Sequence, residues 1–306
     1  MILVAGLSPA WQQIMRFEAL RLGEVNRAAE VIWCASGKAI NVAWALHTLG
    51  ANLELVSTAG GLTGDALRRD VAGQGISAHW IRTAAATRVC TTVLDAAGTG
   101  ITELVENAPV VTAAELEAFR NAYLTRVTKA QLVVLTGSLP GGAPTSLYRE
   151  LLERTPCPAI LDFRGKELRE AISLRPLLVK PNREELGHTV GRVLATEADI
   201  VAAVDELHLG GAQWVAITDG AGPMLVSGPG TRLWVTPPRV PVVNAIAAGD
   251  CLAAGIAWAV VAGKPIEQAL RLGVAAAAWN VSQLMPARLE ATEVQKLAAE
   301  VAVQHL

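Results

Sequence analysis

One segment of the chain combines small residues with a single acid where a helix is predicted to begin. It reads N-A-I-A-A-G-D over residues 244–250 and continues into an Ala-rich stretch. The free N–H groups of a helix N-terminus attract anions, and small side chains let a phosphate approach the backbone. Asp250 is therefore a candidate base beside an anion site. Asp is also a favoured N-cap residue, worth about 1 kcal/mol, so the segment taken alone favours a simple cap.

Familiar sequence patterns for nucleotide or metal binding are absent elsewhere. The chain has neither a G-x-x-x-x-G-K-[ST] loop nor a G-x-G-x-x-G turn after a predicted strand, which disfavours a P-loop or dinucleotide site. The segment K-P-N-R-E-E-L at 180–186 taken alone indicates a loop followed by a capped helix. The histidines and cysteines of the chain do not have the spacing of metal ligands, so we expect no zinc or two-metal centre.

Composition narrows the class of protein. The chain has 306 residues, of which 52% are hydrophobic and 18% charged, and its net charge is −2. This composition is typical of a globular protein, and without an excess of basic residues nucleic acid is not expected as a partner. The longest apolar stretch, 251–263, is shorter than the roughly 18 to 20 residues of a bilayer span, so no membrane is expected. Four dispersed cysteines and the lack of a basic leader favour a reducing cytoplasm.

The hydrophobic pattern predicts an α/β fold, because short apolar runs alternate with longer amphipathic stretches. The apolar runs suit a parallel sheet that is covered on both faces. A capping box of Thr112 and Glu115 opens one of the helices. The predicted strands are 2–5, 53–57, 131–135, 159–162, 177–179 and 214–217, and the predicted helices include 40–49, 112–127 and 199–209. From Gly249 to the end the chain is predicted to be mostly helical.

Two segments do not fit this alternation. Residues 11–17 with 27–34, and 89–95 with 101–105, resemble hairpin strands joined by turn residues, among them Gly23, Gly98 and Gly100. They could form a small second sheet that covers one end of the core, or they could be ordinary edge strands. Because no repeat or low-complexity linker marks a boundary, we expect a single domain over 1–306, with its lid strands at about 11–34 and 88–106.

Five ordered motifs give the chain a family resemblance that covers nearly its whole length. They are S-G-K-A-I-N-V-A at 36–43, T-G-S-L-P at 136–140, L-D-F-R-G-K-E-L at 161–168, K-P-N-R-E-E-L at 180–186 and the segment at 244–255. Together they resemble the ribokinase-like carbohydrate kinase superfamily. Within it, they are similar to the branch of 1-phosphofructokinase, tagatose-6-phosphate kinase and the minor 6-phosphofructokinase.

The resemblance implies a fold and a reaction. The fold is a largely parallel sheet flanked by helices, with a β lid made from the two irregular segments. Asp250 would be the general base that takes a proton from a sugar hydroxyl as its oxygen attacks the γ-phosphoryl group of ATP. The backbone amides of Ala247, Ala248 and Gly249 would form the anion hole. The product would be a sugar bisphosphate.

The resemblance also implies how ATP and Mg²⁺ are held. Asn182 and Glu185 match the N-x-x-E pattern that acts on Mg²⁺ and the ATP phosphates, through water because Mg²⁺ loses its hydration shell reluctantly. Lys180, just upstream, would touch phosphate. Thr218 and Gly220 match a nucleotide-binding turn, although Pro223 stands where another glycine is usual.

A phosphorylated sugar requires cations of its own, and the resemblance supplies candidates. Lys38 and Arg88 match positions that bind the substrate phosphate, at the sugar end of the cleft and far from the ATP phosphates. Ser138 and Arg27 are further partners, and a lid-to-lid homodimer is implied. The sugar-contacting positions are Gln12, Ser36, Gly37 and Asn41.

Several residues depart from the family pattern. Gln12 stands where an acid usually holds sugar hydroxyls, and Ser36 and Ala39 stand where glycines are usual. Ala247 opens the anion hole where the family prefers glycine, although Ala does not easily adopt a positive φ. Ala245 replaces a residue that is frequently a hydroxyl residue or proline. These changes leave the identity of the sugar open.

Three functions remain open on sequence grounds. The first is an ATP- and Mg²⁺-dependent kinase of a ketohexose phosphate, namely fructose 1-phosphate, fructose 6-phosphate or tagatose 6-phosphate. The second is a catalytically weak protein that binds nucleotide or sugar phosphate as a sensor. The third is a kinase of a non-phosphorylated sugar or nucleoside.

Overall fold

The computed structural model describes residues 1–97 and 100–306, so the predicted turn residue Gly98 lies outside the described residues. The strands are β1 (Ile2–Ala5), β2 (Ala10–Phe17), β3 (Glu30–Ser36), β4 (Leu53–Ala59), β5 (Ala78–Arg82), β6 (Arg88–Asp95), β7 (Ile101–Val105), β8 (Leu132–Thr136), β9 (Ala159–Asp162), β10 (Leu178–Val179), β11 (Trp214–Ile217), β12 (Met224–Gly228), β13 (Thr231–Thr236) and β14 (Ala302–His305). The helices are α1 (Lys38–Thr48), α2 (Gly61–Gly73), α3 (Ala113–Val127), α4 (Leu147–Leu152), α5 (Lys166–Ala171), α6 (Arg183–Val190), α7 (Glu197–Gly210), α8 (Ala248–Val261), α9 (Ile266–Val281) and α10 (Ala291–Glu300), with a short 3₁₀ turn at Ile172–Leu174.

The main sheet has ten strands in the order β14-β13-β12-β11-β10-β9-β8-β1-β4-β5. From β11 to β5 every neighbouring pair is parallel, whereas β12, β13 and β14 add an antiparallel edge. All six predicted strands are present, within two residues of their predicted ends. The prediction missed β5, β12, β13 and β14, and the last of these corrects the expectation of a mostly helical end.

Each central strand is apolar on both sides because helices cover both faces of the sheet. Ile2 and Val4 of β1 pack towards α1, α8 and α9, whereas Leu3 and Ala5 pack towards α3, α4 and α7. The predicted capping box of Thr112 is confirmed at the start of α3. Helix α7 begins two residues earlier than predicted because Thr196 caps it. No helix in the described ranges has the length and apolar character that a membrane crossing requires.

The order of the strands fixes where a site can form. From β1 the chain continues to β4 and β5 on one side, and later to β8, β9, β10 and β11 on the other side. The loops after β1 and β8 therefore leave the sheet in different directions, which opens a crevice at the carboxyl ends of the strands. Thr136, Asp162, Lys180 and Thr218 all lie at or just after these carboxyl ends.

The two irregular segments form a separate four-stranded sheet in the order β3-β2-β6-β7. The prediction of a second sheet is confirmed, and the alternative of ordinary edge strands is wrong. Gln12, on the central strand β2, is paired with Cys34 on one side and Cys90 on the other. The sheet has its own small core, which packs on Leu284 and Met285 of the main body.

Helices α8 and α9 meet through a pair of glycines. A Cβ on Gly255 would lie 2.8 Å from the Cα of Gly273 and 3.0 Å from the Leu272 carbonyl oxygen. Separations below about 3 Å have no room for a methyl group, so only glycine permits this approach. The close contact holds α8, whose first turn carries Asp250, against α9.

Gly255→Ala is therefore expected to lower the free energy of unfolding by about 1–3 kcal/mol through overpacking. Gly73→Ala is the matched control, because Gly73 ends α2 with open space around its Cα. Chemical denaturation of both variants measures the effect. Equal stability of the two would show that the helix contact does not depend on glycine.

Candidate active site

A cavity of about 1140 Å³ opens at the carboxyl edge of the sheet. Lid strands β2, β6 and β7 contribute one part of its wall, and the start of α8 contributes another. The loops after β10, β11 and β13 complete it. Most of the residues predicted for the site line this cavity: Gln12, Ser36, Gly37, Lys38, Asn41, Arg88, Lys180, Asn182, Glu185, Thr218, Gly220, Ala247, Ala248, Gly249 and Asp250.

Asp250 is not the N-cap of α8. The cap position belongs to Ala247, which lies in the left-handed region with φ 64° and ψ 7°. Asp250 lies three residues further on, is 5% exposed, and accepts a hydrogen bond of 2.7 Å from Asn41 Nδ2. The interpretation of Asp250 as a simple cap is therefore wrong, and its carboxylate is buried in the wall of the cavity.

The start of α8 leaves backbone donors available for an anion. The N–H groups of Ala247, Gly249 and Asp250 have no protein acceptor among the described residues, whereas that of Ala248 donates to the Ala245 carbonyl oxygen at 3.3 Å. The available amides thus differ from the expected set, because Asp250 takes the place of Ala248. A Cβ on Gly249 would lie 3.2 Å from Lys180 Nζ, so glycine leaves room for this ammonium group beside the start of α8.

Asp162 is the central charged residue of the site, and the sequence analysis gave it no role. It ends strand β9 and is fully buried. Its Oδ1 lies 3.0 Å from Lys38 Nζ and 3.3 Å from Lys180 Nζ, and Thr136 donates a further hydrogen bond to the carboxylate. The sequence did offer a signal for this residue, because Asp162 is an acid at the end of an otherwise apolar predicted strand.

Lys38 does not lie far from the predicted metal and phosphate side of the cavity, although this was expected from the sequence. Its ammonium group contacts Glu185 Oε1 at 3.3 Å as well as Asp162, so it is held between two carboxylates. Because Glu185 belongs to the predicted metal and phosphate side, the expectation that Lys38 lies far from that side is wrong. Its sequence position, at the first residue of α1, could not reveal partners more than 120 residues away.

These charges set the proton affinities of the site. Burial and the nearby Asp162 carboxylate raise the pKa of Asp250 to about 6, against the opposing effect of Lys38. Burial also acts to raise the pKa of Asp162, but Lys180 and Lys38 outweigh it and hold that pKa below the ordinary value. Burial acts to lower the pKa of Lys38, but Asp162 and Glu185 raise it above the ordinary value.

Asn182 and Glu185 form a reciprocal capping box at the start of α6. The Glu185 N–H donates to Asn182 Oδ1, and the Asn182 N–H donates to Glu185 Oε2. The interpretation of K-P-N-R-E-E-L as a loop and a capped helix therefore describes the local structure. No group of three metal-ligating side chains occurs among residues 1–97 and 100–306. The donor set fits Mg²⁺, which binds through one carboxylate, waters and substrate phosphates, rather than a metal held by protein alone.

The loop after β11 closes tightly beside this capping box. Thr218 and Asn182 form an isolated parallel β-bridge, and Gly220 has a positive φ of 58°. A turn from Asp219 to Gly222 leads into β12, and Pro223 lies between the turn and the strand. The loop therefore lines the cavity through Thr218, Gly220 and Gly222 even though proline replaces the usual glycine at position 223.

The sugar-facing end of the cavity lies under the lid. Gln12 is buried and donates to Thr92 Oγ1 at 2.7 Å, and Ser36 donates to Asn41 Oδ1. Gly37 has a φ of 102°, and a Cβ there would lie 2.8 Å from the Pro9 Cα. Ala39, which stands where a glycine is usual, does not line the cavity, because it is buried with its methyl group facing Gly6.

Arg88 lines the same end and donates to the backbone carbonyls of Ser8, Pro9 and Glu106. Two predicted partners are not part of the cavity wall. Ser138 is exposed, and its carbonyl oxygen accepts a hydrogen bond from Ser8. Arg27 is exposed in the loop between β2 and β3.

Two charged residues of the cavity wall were missed besides Asp162. Glu103 faces the cavity together with its strand neighbours Ile101 and Val105, which share one side of β7. Partial burial raises the pKa of Glu103. Arg239 lines the cavity on the loop after β13. Neither belongs to a motif, and only the folding of the lid and the edge strands brings them here.

Comparison with known proteins decides the family. Residues 9–290 match the pfkB family of carbohydrate kinases. The chain belongs to this family. As a pfkB-family carbohydrate kinase it is a phosphotransferase that acts on a sugar hydroxyl.

Solved structures share the fold of this pfkB-family kinase. Phosphofructokinase-2 from Escherichia coli, in its tetrameric inhibited form, is 24% identical over 98% of both chains, with a TM-score of 0.87. A Thermotoga maritima protein described as a possible 1-phosphofructokinase is 20% identical over 100% of this chain and 99% of its own, with a TM-score of 0.90. The predicted ribokinase-like α/β fold with a small second sheet is confirmed.

The charges around Asp250 in this pfkB-family kinase predict how its activity depends on pH. Lys38→Gln removes a positive charge that lowers the pKa of Asp250, so the acid limb of kcat/KM is expected to move to higher pH from about pH 6. Asp162→Asn removes a negative charge and is expected to move the limb to lower pH. Rate profiles between pH 4.5 and 8 test both directions. A limb that stays in place in both variants would contradict the assignment of the titrating group to Asp250.

Proposed function

We propose that this chain is an ATP- and Mg²⁺-dependent kinase that converts a ketohexose phosphate to a bisphosphate. The substrate is fructose 1-phosphate, fructose 6-phosphate or tagatose 6-phosphate. One observation carries the proposal: the buried Asp250 carboxylate lines a single cavity together with the Arg88 guanidinium and the amides of α8 that have no protein acceptor in the described part of the chain. A base, an anion site and a separate cation for the substrate thus share one space.

Asp250 acts as the general base. With a pKa of about 6 it is mostly ionised at neutral pH, yet basic enough to take a proton from the attacking sugar hydroxyl. The oxygen of that hydroxyl then forms a bond to the γ-phosphorus of ATP, the bond from that phosphorus to the β-γ bridging oxygen breaks, and ADP leaves. Asn41 holds the carboxylate in position through its hydrogen bond to Oδ2.

The start of α8 stabilises the charge of the transferred group. The amides of Ala247, Gly249 and Asp250 and the ammonium group of Lys180 are donors fixed by the fold, so they need little reorganisation during transfer. Mg²⁺, when bound, neutralises charge on the ATP phosphates, and Glu185 and Asn182 hold it through water.

The nucleotide occupies the part of the cavity near the loop after β11. Thr218 and Gly220 face it there, and a glycine backbone permits close approach of a phosphate or ribose. Apolar residues of β12, β13 and α9 complete the wall and suit the faces of a purine base: Met224, Val235, Val274, Ala277, Ala278 and Val281.

Arg88 carries the preference for a phosphorylated sugar. Three of its five N–H groups hold backbone carbonyls, which fixes the guanidinium at the cavity wall. The other two have no acceptor within residues 1–97 and 100–306, so they are available for a phosphate. Lys38 contributes less to this preference than expected, because Asp162 and Glu185 already neutralise it.

A kinase of a non-phosphorylated sugar is the second candidate, and Glu103 favours it. Its carboxylate faces the cavity from the lid, where Gln12 supplies only an amide. A carboxylate accepts strong hydrogen bonds from sugar hydroxyls and repels a phosphate at close range. The two candidates therefore depend on which charge, that of Arg88 or that of Glu103, faces the substituent of the sugar.

A lid-to-lid homodimer is also part of the proposal. Val31 and Trp33 on β3 are 45% and 43% exposed, and Trp33 stacks on Trp11 with ring centroids 6.1 Å apart. A second copy of the lid would cover this apolar surface.

Arg88→Met tests the substrate class. We expect the KM for a ketohexose phosphate to rise by about one to two orders of magnitude, as loss of a charge-assisted contact of about 1.5–3 kcal/mol predicts, while the KM for ATP hardly changes. Arg27→Met is the matched control, because it removes the same charge from an exposed loop. The assay compares the three phosphosugars with fructose and ribose. A wild-type preference for an unphosphorylated sugar, reduced by Glu103→Gln, would overturn the proposal in favour of the second candidate.

A further inference from the structure

Two fully buried asparagines join the turn before α8 to the end of α9. Asn280 Nδ2 donates to the Ile246 carbonyl oxygen at 2.7 Å, and Asn280 Oδ1 accepts from the Ala287 N–H at 2.6 Å. Asn244 Nδ2 donates to the Leu284 carbonyl oxygen at 2.9 Å, and Asn244 Oδ1 accepts from the Ile246 N–H at 3.1 Å. Both polar groups of the Ile246 backbone are thus held by side chains that touch neither end of the cavity.

The bond to the Ile246 carbonyl oxygen determines which amides of α8 stay free. In a helix that continued one turn further back, this oxygen would accept the Asp250 N–H four residues later. Asn280 occupies it instead, and the Asp250 N–H has no other protein acceptor among the described residues. The side chain of Asn280 therefore competes for this oxygen and holds it in a direction that the Asp250 N–H does not use.

The hydrogen bonds of Asn280 and Asn244 to the Ile246 backbone, together the Asn280 clamp, also hold a strained residue. Ala247 directly follows Ile246 and has a φ of 64°, a conformation that costs an alanine roughly 1–2 kcal/mol. Asn280 holds the Ile246 carbonyl in the peptide plane that precedes Ala247, and Asn244 holds the Ile246 N–H in the plane before that, so both oppose a rotation that would relieve this strain. The left-handed turn that places the Ala247 amide in the cavity is thus supported from outside the site.

We propose that Asn280, with Asn244, is a positioning residue that keeps the amides at the start of α8 available for the transferring phosphoryl group. It acts through the backbone of Ile246 and does not touch the substrate. The inference rests on the proposed function of this helix start as the phosphoryl site. Because Ala287 and Leu284 are the other partners, the segment that packs under the lid also supports the clamp.

Asn280→Leu keeps the approximate size of the side chain and removes both hydrogen bonds. We expect kcat to fall 10- to 100-fold with a KM for ATP within about threefold of wild type, because donors aimed at developing charge act in the transition state. Inhibition by ADP with aluminium fluoride, an analogue of the transferring phosphoryl group, should weaken by a similar factor, with ADP affinity unchanged.

Combining Ala247→Gly with Asn280→Leu tests whether Asn280 acts through the strained turn. Glycine adopts a positive φ without strain, so the double variant Asn280→Leu/Ala247→Gly is expected to recover part of the lost kcat. Thr48→Val is the matched control, because Thr48 Oγ1 accepts from the Leu289 N–H of the same C-terminal segment without touching Ile246. Thr48→Val should lower thermal stability and leave kcat unchanged. If Asn280→Leu does not fold, Asn280→Ser, which is too short to reach Ile246, is measured instead.

The inference is overturned if the Asn280 variant has a kcat within threefold of wild type, or if Thr48→Val lowers kcat as strongly. Absence of rescue by Ala247→Gly would also overturn it, since the clamp would then not act through the turn. Failure of the proposed role of this helix start as the phosphoryl site gives a different result: wild-type protein itself would not be inhibited by ADP with aluminium fluoride.

Discussion

The rest of the site depends on the ion pairs that the buried Asp162 carboxylate forms with two lysines. Asp162 ends β9 and pairs with Lys38 at the start of α1 and Lys180 after β10, so it joins three separate parts of the chain. Removing one partner from a buried ion pair typically costs about 3–5 kcal/mol, because the remaining charge stays desolvated. Burial raises the pKa of Asp250, and the same negative charge raises it further towards neutrality. One carboxylate therefore both assembles the site and prepares its base.

A second constraint comes from the small residues around α8. Gly249 admits the Lys180 ammonium group, Gly255 admits α9, and Ala247 adopts a left-handed conformation that the Asn280 clamp supports. Small side chains let charged groups and backbone donors come close together, but they provide little packing of their own. The helix start is consequently held by hydrogen bonds to distant segments, and its amides remain directed into the cavity.

The sequence predicted those parts of the molecule that local patterns determine. The buried parallel strands are continuous apolar runs, and the capping box of Thr112 depends on residues three apart, so both could be read directly. The edge strands β12 to β14 pair antiparallel, and each mixes polar with apolar residues instead of being apolar along its whole length, so the search for continuous apolar runs overlooked them. The partners of Lys38 and the role of Asp162 depend on strand order, and no local pattern specifies contacts across 124 residues.

A direct measurement of the pKa of Asp250 tests the central claim that the Asp162 charge network prepares the base. The wild-type protein, labelled with carbon-13 at aspartate side chains, is titrated by NMR, and the Asp250 signal is assigned by its absence in Asp250→Asn. The account predicts a pKa of about 6 for Asp250, and a lower value in Asp162→Asn. A wild-type pKa near 3.8, the ordinary value for aspartate, would contradict it.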